Sequence, residues 1–126
     1  LPEKDDLSFL DSVKNAFYKT EEVKGEIRRF WKDWVVQYVK RLQKEALSDI
    51  ERKQKMNLVN PKYVLRNYMA QIAIEAAENN DYTVIDELYC LLKSPYDEQI
   101  NQEKWFAKRP EWARTKVGCS MLSCSS

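Results

Sequence analysis

The chain has 126 residues, with 21 Lys and Arg, 20 Asp and Glu, two glycines, three cysteines and no histidine. A net charge of +1 gives no overall attraction to nucleic acid or anionic membranes, so we expect neither as a partner. The lack of histidine excludes a histidine general base, a Ser–His or Cys–His pair and histidine metal ligands. Two isolated glycines provide no phosphate-binding loop and few tight hairpins, which disfavours an all-β fold.

The chain start has neither an initiator Met nor a signal peptide, and no apolar run is long enough to cross a membrane. The chain is therefore expected to begin inside a larger protein. An odd cysteine count disfavours a disulfide framework and favours an intracellular, mostly reducing setting.

Two helices are predicted in the first third of the chain. Helical spacing of apolar residues predicts a short helix over residues 8–18, opened by a capping box at Ser8. A longer amphipathic helix is predicted from Thr20, with six or seven turns if Gly25 does not break it. Its aromatic face is interpreted as core packing, since base stacking on Trp31 and Trp34 would need a basic groove. That face comprises Val23, Ile27, Phe30, Trp31, Trp34, Tyr38, Leu42 and Ala46.

Three further helices are predicted between residues 48 and 95. A capping box at Ser48 opens a short helix that ends near Met56. Asn60 then caps a helix with Pro61 at its first position. Its predicted buried stripe is Leu65, Tyr68, Met69, Ile72 and Ala76, and residues 79–81 stop it. The next helix is capped by Thr83, faces the core with Val84, Ile85, Leu88, Leu91 and Leu92, and ends at Ser94-Pro95.

After residue 96 the helical periodicity fades. Trp105, Phe106 and Trp112 are predicted to anchor an irregular tail against the helices. Residues 115–126 contain glycine, serines and cysteines and are predicted to be mobile. The prediction is an all-α fold of about five helices, with a helical domain at 1–114 and a mobile Cys/Ser tail at 115–126.

Acidic pairs and cysteines are the remaining candidate chemical groups. Asp5-Asp6, Glu21-Glu22 and Asp97-Glu98 are interpreted as solvated or helix-capping, and the cysteine spacings match no metal site. Cys90 lies beside a leucine face and is predicted to be a core residue. Cys124 lies near the chain end and is predicted to be exposed, either as an inert thiol or as a redox-active one.

Arg66 and Asn67 lie between apolar positions of the helix predicted at Pro61. Partly buried polar groups need partners, so the two residues are interpreted as making an ion pair or a bridge to a loop carbonyl. The functional alternative is a surface that grips another domain.

An ordered series of motifs resembles the C-terminal part of the selenoprotein O family, from about residue 30 to residue 126. Its most distinctive segment is residues 60–71, with Asn60, Pro61, Lys62, Tyr63, Arg66, Asn67 and Tyr68. Residues 73–78, 80–82, 95–99 and 109–113 follow in the family's order, and Cys124 matches the position that is selenocysteine in some members.

The resemblance implies that the parent protein has a kinase-like, pseudokinase fold that transfers AMP from ATP to protein hydroxyls with Mg²⁺ or Mn²⁺. The catalytic residues would lie upstream, so no residue of this chain is expected to be catalytic or to bind metal. The implied partners are the parent's catalytic kinase-like domain and its protein substrates. The implied location is mitochondrial in a eukaryote and cytoplasmic in a bacterium.

Selenium-containing members pair selenocysteine with a cysteine three residues earlier, a position that is Met121 here. The resemblance therefore favours a redox partner for Cys124 in the catalytic region. Two other functions stay open from the residues alone. One is a free-standing helical interaction module, and the other is a small thiol redox protein that uses Cys119 and Cys124.

Overall fold

A computed structural model describes residues 8–119, which form two compact units divided after Ser48. The described residues contain helices and turns but no strand, so the predicted all-α class is confirmed. Five α-helices are present in this part of the chain, interspersed with short 3₁₀ turns.

The first unit contains α1 (Ser8–Val13) and α2 (Gly25–Leu42), separated by 3₁₀ turns at Lys14–Ala16 and Thr20–Glu22. The helix predicted from Thr20 depended on Gly25 not breaking it, and that condition is not met, because α2 begins only at Gly25. Gly25 has φ +55°, a left-handed conformation that a right-handed helix cannot continue through.

Aromatic contacts dominate the first unit. The Trp31 ring meets Phe17 edge-on at 5.1 Å and Trp34 at 5.7 Å, and the Arg28 guanidinium lies 5.9 Å from the Phe9 ring centroid. Val23 is the one buried hydrophobic residue among the described residues of this unit. The interpretation of the α2 aromatic face as core packing is therefore wrong for this chain: Ile27, Phe30, Trp34 and Tyr38 are all exposed.

The second unit contains α3 (Asp49–Val59), α4 (Asn67–Glu78) and α5 (Thr83–Lys93). Two 3₁₀ stretches follow at Ile100–Trp105 and Glu111–Arg114. Helix α3 begins where the capping box predicts, and it continues three residues past the predicted end at Met56. Helix α4 stops at the predicted place, where Asn80 has φ 61°.

The core of the second unit lies between α4, α5 and the 3₁₀ stretches. Its buried members are Tyr63, Tyr68, Met69, Ala73, Leu88, Leu91, Trp105, Ala113 and Cys119. The predicted burial of Tyr68 and Met69 is confirmed, and Ile72, Val84 and Leu92 pack against the core. Leu65 contradicts the predicted stripe, because it is 52% exposed in the non-helical segment before α4.

Asp81, rather than Thr83, supplies the capping group of α5. The Asp81 carboxylate accepts hydrogen bonds from the Thr83 hydroxyl at 2.6 Å and the Thr83 backbone N–H at 3.0 Å. These bonds hold the pKa of the Asp81 carboxyl below its usual value, with the hydroxyl as the larger cause. The helix begins at Thr83, so the predicted start was right although the capping residue was not. Ser94 ends α5 as predicted.

Candidate functional site

Residues 60–66 form a non-helical segment, with bends at Asn60 and Lys62, rather than the predicted first turns of a helix. The Asn60 side-chain amide donates to the Met56 carbonyl at 2.8 Å, so Asn60 closes the end of α3 instead of opening α4. The backbone N–H groups of Lys62 and Tyr63 both donate to the Pro95 carbonyl, at 2.8 and 3.1 Å. Pro61 therefore follows one helix rather than starting the next. Local sequence favoured a helix start here, and a partner more than thirty residues away overrides it.

Lys62 is the electrostatic centre of this segment. Its ammonium lies 2.5 Å from a carboxylate oxygen of Glu98 and 2.5 Å from one of Glu103. The hydrogen bonds to Glu103, first, and to Glu98 raise the pKa of Lys62 well above its ordinary value. The same ammonium lies 5.4 Å from the Tyr63 ring centroid and 5.0 Å from that of Phe106. An amine held so firmly in its protonated form is a poor nucleophile or general base, so these contacts favour a structural role.

Tyr63 and Gln99 complete the same network. The Tyr63 hydroxyl donates to the Gln99 carbonyl at 3.2 Å, and the Gln99 side chain donates to the carbonyls of Leu91 and Ser94, each at 3.0 Å. We call this network the clamp: Lys62, Tyr63, Pro95, Glu98, Gln99 and Glu103. It joins two motifs of the family resemblance, residues 60–71 and 95–99, into one local structure at the C-terminal end of α5.

The remaining residues of the distinctive segment, Arg66, Asn67 and Tyr68, lie at the start of α4. Arg66 is extended, with φ −108° and ψ 153°, and its backbone N–H contacts the Met69 sulfur at 3.5 Å. Asn67 is the first residue of α4, and its side-chain amide donates to the Cys119 carbonyl at 3.5 Å. The expected bridge from Asn67 to a loop carbonyl is therefore confirmed. The buried Tyr68 ring meets Trp112 edge-on at 6.4 Å.

A second polar network ties the last described residues to α4. Lys116 forms an ion pair with Glu75, whose carboxylate also accepts a 3.1 Å hydrogen bond from Gln71. These groups, Lys116 first, lower the pKa of the Glu75 carboxyl. Gly118 has φ +86°, and a Cβ there would lie 2.7 Å from the Gln71 side-chain oxygen. The Lys116 ammonium also lies 5.3 Å from the Trp112 ring centroid, so residues 112–118 form one contact surface with α4.

A third network joins α5 to the 3₁₀ stretch that follows it. The Glu87 carboxylate lies 2.6 Å from the Lys104 ammonium and accepts a 3.1 Å hydrogen bond from the indole N–H of Trp105. Lys104 is the main cause of the lowered pKa of Glu87. Of the predicted aromatic anchors, Trp105 is buried, whereas Phe106 and Trp112 remain largely exposed while making ring contacts.

The cysteines are arranged differently from the prediction. Cys90 is exposed, so its assignment to the core is wrong: Leu88 and Leu91 face the core, and a residue two positions after Leu88 lies on the opposite side of the helix. Cys119 is fully buried, which does not favour a redox protein that uses its thiol. Cys124 and Met121 lie outside the described residues, so the exposure and redox role of Cys124 stay predictions.

Within residues 8–119 no three His, Cys, Asp or Glu side chains come together in a group that could hold a metal ion. Among these residues, no helix has the length and apolar character to cross a bilayer.

Sequence reasoning missed Glu103 and Phe106 as contacts of Lys62. They lie about forty residues from Lys62 along the chain, and no local pattern marks them as its partners. Substitutions correlated between Lys62 and Glu103 in related sequences are the signal that would have found this pairing.

The chain is similar to bacterial proteins named "Protein nucleotidyltransferase YdiU". It is 63% identical to that of Flavobacterium johnsoniae over 117 residues, which make up 93% of this chain and 22% of that protein. The corresponding proteins of Rhodopirellula baltica and Aromatoleum aromaticum are 46% and 44% identical, again over 93% of this chain and 22% of their own length. No protein-family model matches the chain.

The similarity also reaches further upstream than the family motifs do, because 117 matched residues cannot all lie after residue 30. The chain spans about a fifth of the length of these relatives.

Proposed function

This chain is a segment of a selenoprotein O-family protein, related to the YdiU nucleotidyltransferases, and we propose that it is a non-catalytic helical part of a protein adenylyltransferase. The parent transfers AMP from ATP to hydroxyl groups of protein substrates. The single observation that carries the proposal is 63% identity over nearly the whole chain to a protein named as a protein nucleotidyltransferase.

The catalytic groups are assigned to the parent rather than to this chain. ATP and Mg²⁺ or Mn²⁺ are bound by a kinase-like, pseudokinase domain outside it, and this segment occupies the C-terminal part of the parent. The clamp and the Glu75–Lys116 pair support a scaffolding role. Both use charged side chains to hold separate segments of the chain together. The parent is placed in the cytoplasm of a bacterium or in the mitochondrion of a eukaryote.

The test is a transfer assay with the parent polypeptide and with this chain alone. Each is incubated with ATP labelled on its α-phosphate, with Mg²⁺ or Mn²⁺, and with a protein mixture. The parent is expected to label proteins with AMP, and this chain is expected to label none. AMP transfer by this chain alone would contradict the assignment of catalysis to the parent, and a parent inactive with both metals would contradict the activity itself.

Cys124 is proposed to regulate the parent by forming a disulfide with a cysteine of the catalytic region. Forming that bond releases two protons and two electrons, which an oxidised dithiol reagent accepts. In the parent, Cys124→Ser should abolish the effect of that reagent on AMP transfer. Cys90→Ser is the matched control, since Cys90 is an exposed thiol on α5. Redox sensitivity that survives Cys124→Ser, or is lost with Cys90→Ser, would contradict this role.

A free-standing interaction module is the second candidate function. The observation that favours it is the exposed aromatic face of α2, which could bind a separate protein. The length of the natural polypeptide distinguishes the two candidates. A native protein of this size, rather than one about five times longer, would favour the module.

A further inference from the structure

Helix α2 carries a stripe of large apolar side chains that stay exposed among the residues the structure describes. Ile27, Phe30, Trp34 and Tyr38 recur at helical spacing and therefore lie along one face. Their exposed fractions are 57%, 67%, 46% and 39%. We call these four residues the α2 stripe.

The unit's other elements contact α2 without covering these four side chains. Phe17 packs on Trp31, which lies at the edge of the same face and contacts Trp34, and Phe9 contacts Arg28 beside it. Within the stripe, Trp34 and Tyr38 stack with ring centroids 5.3 Å apart and only 6° between their planes. Stacked rings lose little conformational freedom on binding, so the stripe is already organised as a contact surface.

The residue types also fit an interface. Tryptophan and tyrosine are enriched among the side chains that contribute most to protein–protein binding, and contiguous exposed apolar surface marks such sites. At the C-terminal end of the helix, Arg41 pairs with Glu45 at 3.0 Å. That charge is already partnered within the chain, so the stripe offers a mainly apolar contact.

The occupant can be argued from chain length. About four-fifths of the relatives' length lies outside the region that this chain matches. A domain on the same polypeptide meets the stripe at an effective concentration of about millimolar, far above that of most free partners. A unit with Val23 as its one buried hydrophobic residue among those described gains most from such a contact.

We propose that the α2 stripe docks this segment onto an apolar patch on the rest of its parent polypeptide. The inference rests on the proposed function only in taking the chain as part of a longer protein. It names the surface that holds the segment in place.

Hydroxyl-radical footprinting tests the docking, with the parent and this chain compared residue by residue. Oxidation of Phe30 and Trp34 should be lost in the parent relative to this chain. Met69, which is 1% exposed, gives the protected baseline within the same samples, and Tyr89, which is 65% exposed on α5, reports an exposed ring of the second unit.

Paired substitutions in the parent give a second readout. Trp34→Glu should lower its melting temperature and increase proteolysis near α2. Val36→Glu should do neither, because Val36 lies on the opposite face of the same helix and is 42% exposed. Equal effects of the two substitutions would contradict docking through the stripe.

Each remaining outcome also decides the question. Undiminished oxidation of Phe30 and Trp34 in an active parent would overturn the docking and leave the proposed function intact. If Phe30 and Trp34 are already protected in this chain while it is monomeric, the stripe is covered by the second unit. If they are protected while this chain has the mass of a dimer, the stripe is covered by a second copy. Either result overturns the proposal. Protection in a parent that transfers no AMP supports the docking and removes the proposed function.

Discussion

The two units of this chain differ in how many apolar side chains they bury. Residues 49–119 bury nine side chains around Met69 and Leu91, whereas the described part of residues 1–48 buries Val23 alone. Yet the first unit has the longest helix and the densest aromatic cluster. Helix length and aromatic content therefore do not make a region self-sufficient. Burial of apolar surface does, because it offsets the entropy lost on folding.

Polar contacts sharpen the same contrast. The clamp, the Glu75–Lys116 pair and the Glu87–Lys104 pair all join distant segments of the second unit. The Lys14–Asp11, Lys19–Glu22 and Arg41–Glu45 pairs of the first unit each join residues three or four positions apart, and exposed pairs of that kind contribute little to stability. The second unit is expected to fold on its own, and the first to need a partner surface.

Truncation of apolar side chains should give the largest difference between the units. Met69→Ala should lower the free energy of unfolding by about 2–5 kcal/mol, because Met69 is buried at the centre of the core. Phe30→Ala and Leu65→Ala should stay within about 0.5 kcal/mol, since both side chains are exposed in this chain. Urea unfolding followed by circular dichroism measures all three. A cost for Phe30→Ala equal to that for Met69→Ala would remove the contrast.

The two glycines provide a smaller, matched comparison. Gly25→Ala should cost about 1–2 kcal/mol, because the positive φ is strained for alanine although the space around it is open. Gly118→Ala should cost more, because its Cβ would also meet the Gln71 side chain and disturb the bond from Gln71 to Glu75. The same unfolding assay checks the order. Equal costs would show that Gln71 moves away freely.

Much of the fold could be predicted from local sequence, and the exceptions have a common cause. The capping box at Ser48 gave the start of α3, and the periodic leucines gave the burial of Leu88 and Leu91. The start of α4 was missed because the backbone N–H groups of residues 62 and 63 bond to the Pro95 carbonyl instead of joining a helix. Pro95 is a distant partner, and single-sequence periodicity does not report distant partners.

The candidate site shows the same limit. The family motifs marked residues 60–71 and residues 95–99 separately. Only the structure shows that Lys62 joins the two motifs through Glu98. Cys90 was misplaced because its neighbours in sequence are leucines, whereas its position around α5 faces away from them.

Acid should weaken the second unit. The folded-state pKa values of Glu75, Asp81 and Glu87 are lowered, so the folded protein binds fewer protons there than the unfolded chain. That stabilisation is present above the ordinary glutamate pKa of 4.5 and is lost as the pH falls below it. Urea titrations between neutral pH and pH 3 measure the loss.

Glu87→Gln is the control for the acid titration. It should lower stability at neutral pH and reduce the dependence on acid, because a glutamine cannot carry the charge that Lys104 stabilises. An acid dependence unchanged by this substitution would contradict the assignment. Lys62 contributes at the alkaline end of the pH range. Its pKa is raised in the folded protein, so the stability it contributes is lost only as the pH rises above 10.5, the ordinary pKa of lysine.

Thiol labelling tests the structure of the second unit without any substitution. Under native conditions Cys90 should react quickly with an alkylating reagent, whereas Cys119 should react only after the core opens. Mass mapping of the labelled peptides identifies each site. Labelling of Cys119 before Cys90 would contradict the structure of the second unit, and Cys124, outside the described residues, is predicted to be the most accessible of the three.

Native-state hydrogen exchange on this chain and on the parent tests the central contrast most directly. The amides of α4 and α5 should be strongly protected in both proteins, because their core is contained in the second unit. The amides of α2 should exchange quickly in this chain and slowly in the parent. Equal protection of α2 in the two proteins would contradict the account, because the first unit would then need no surface from the rest of the polypeptide.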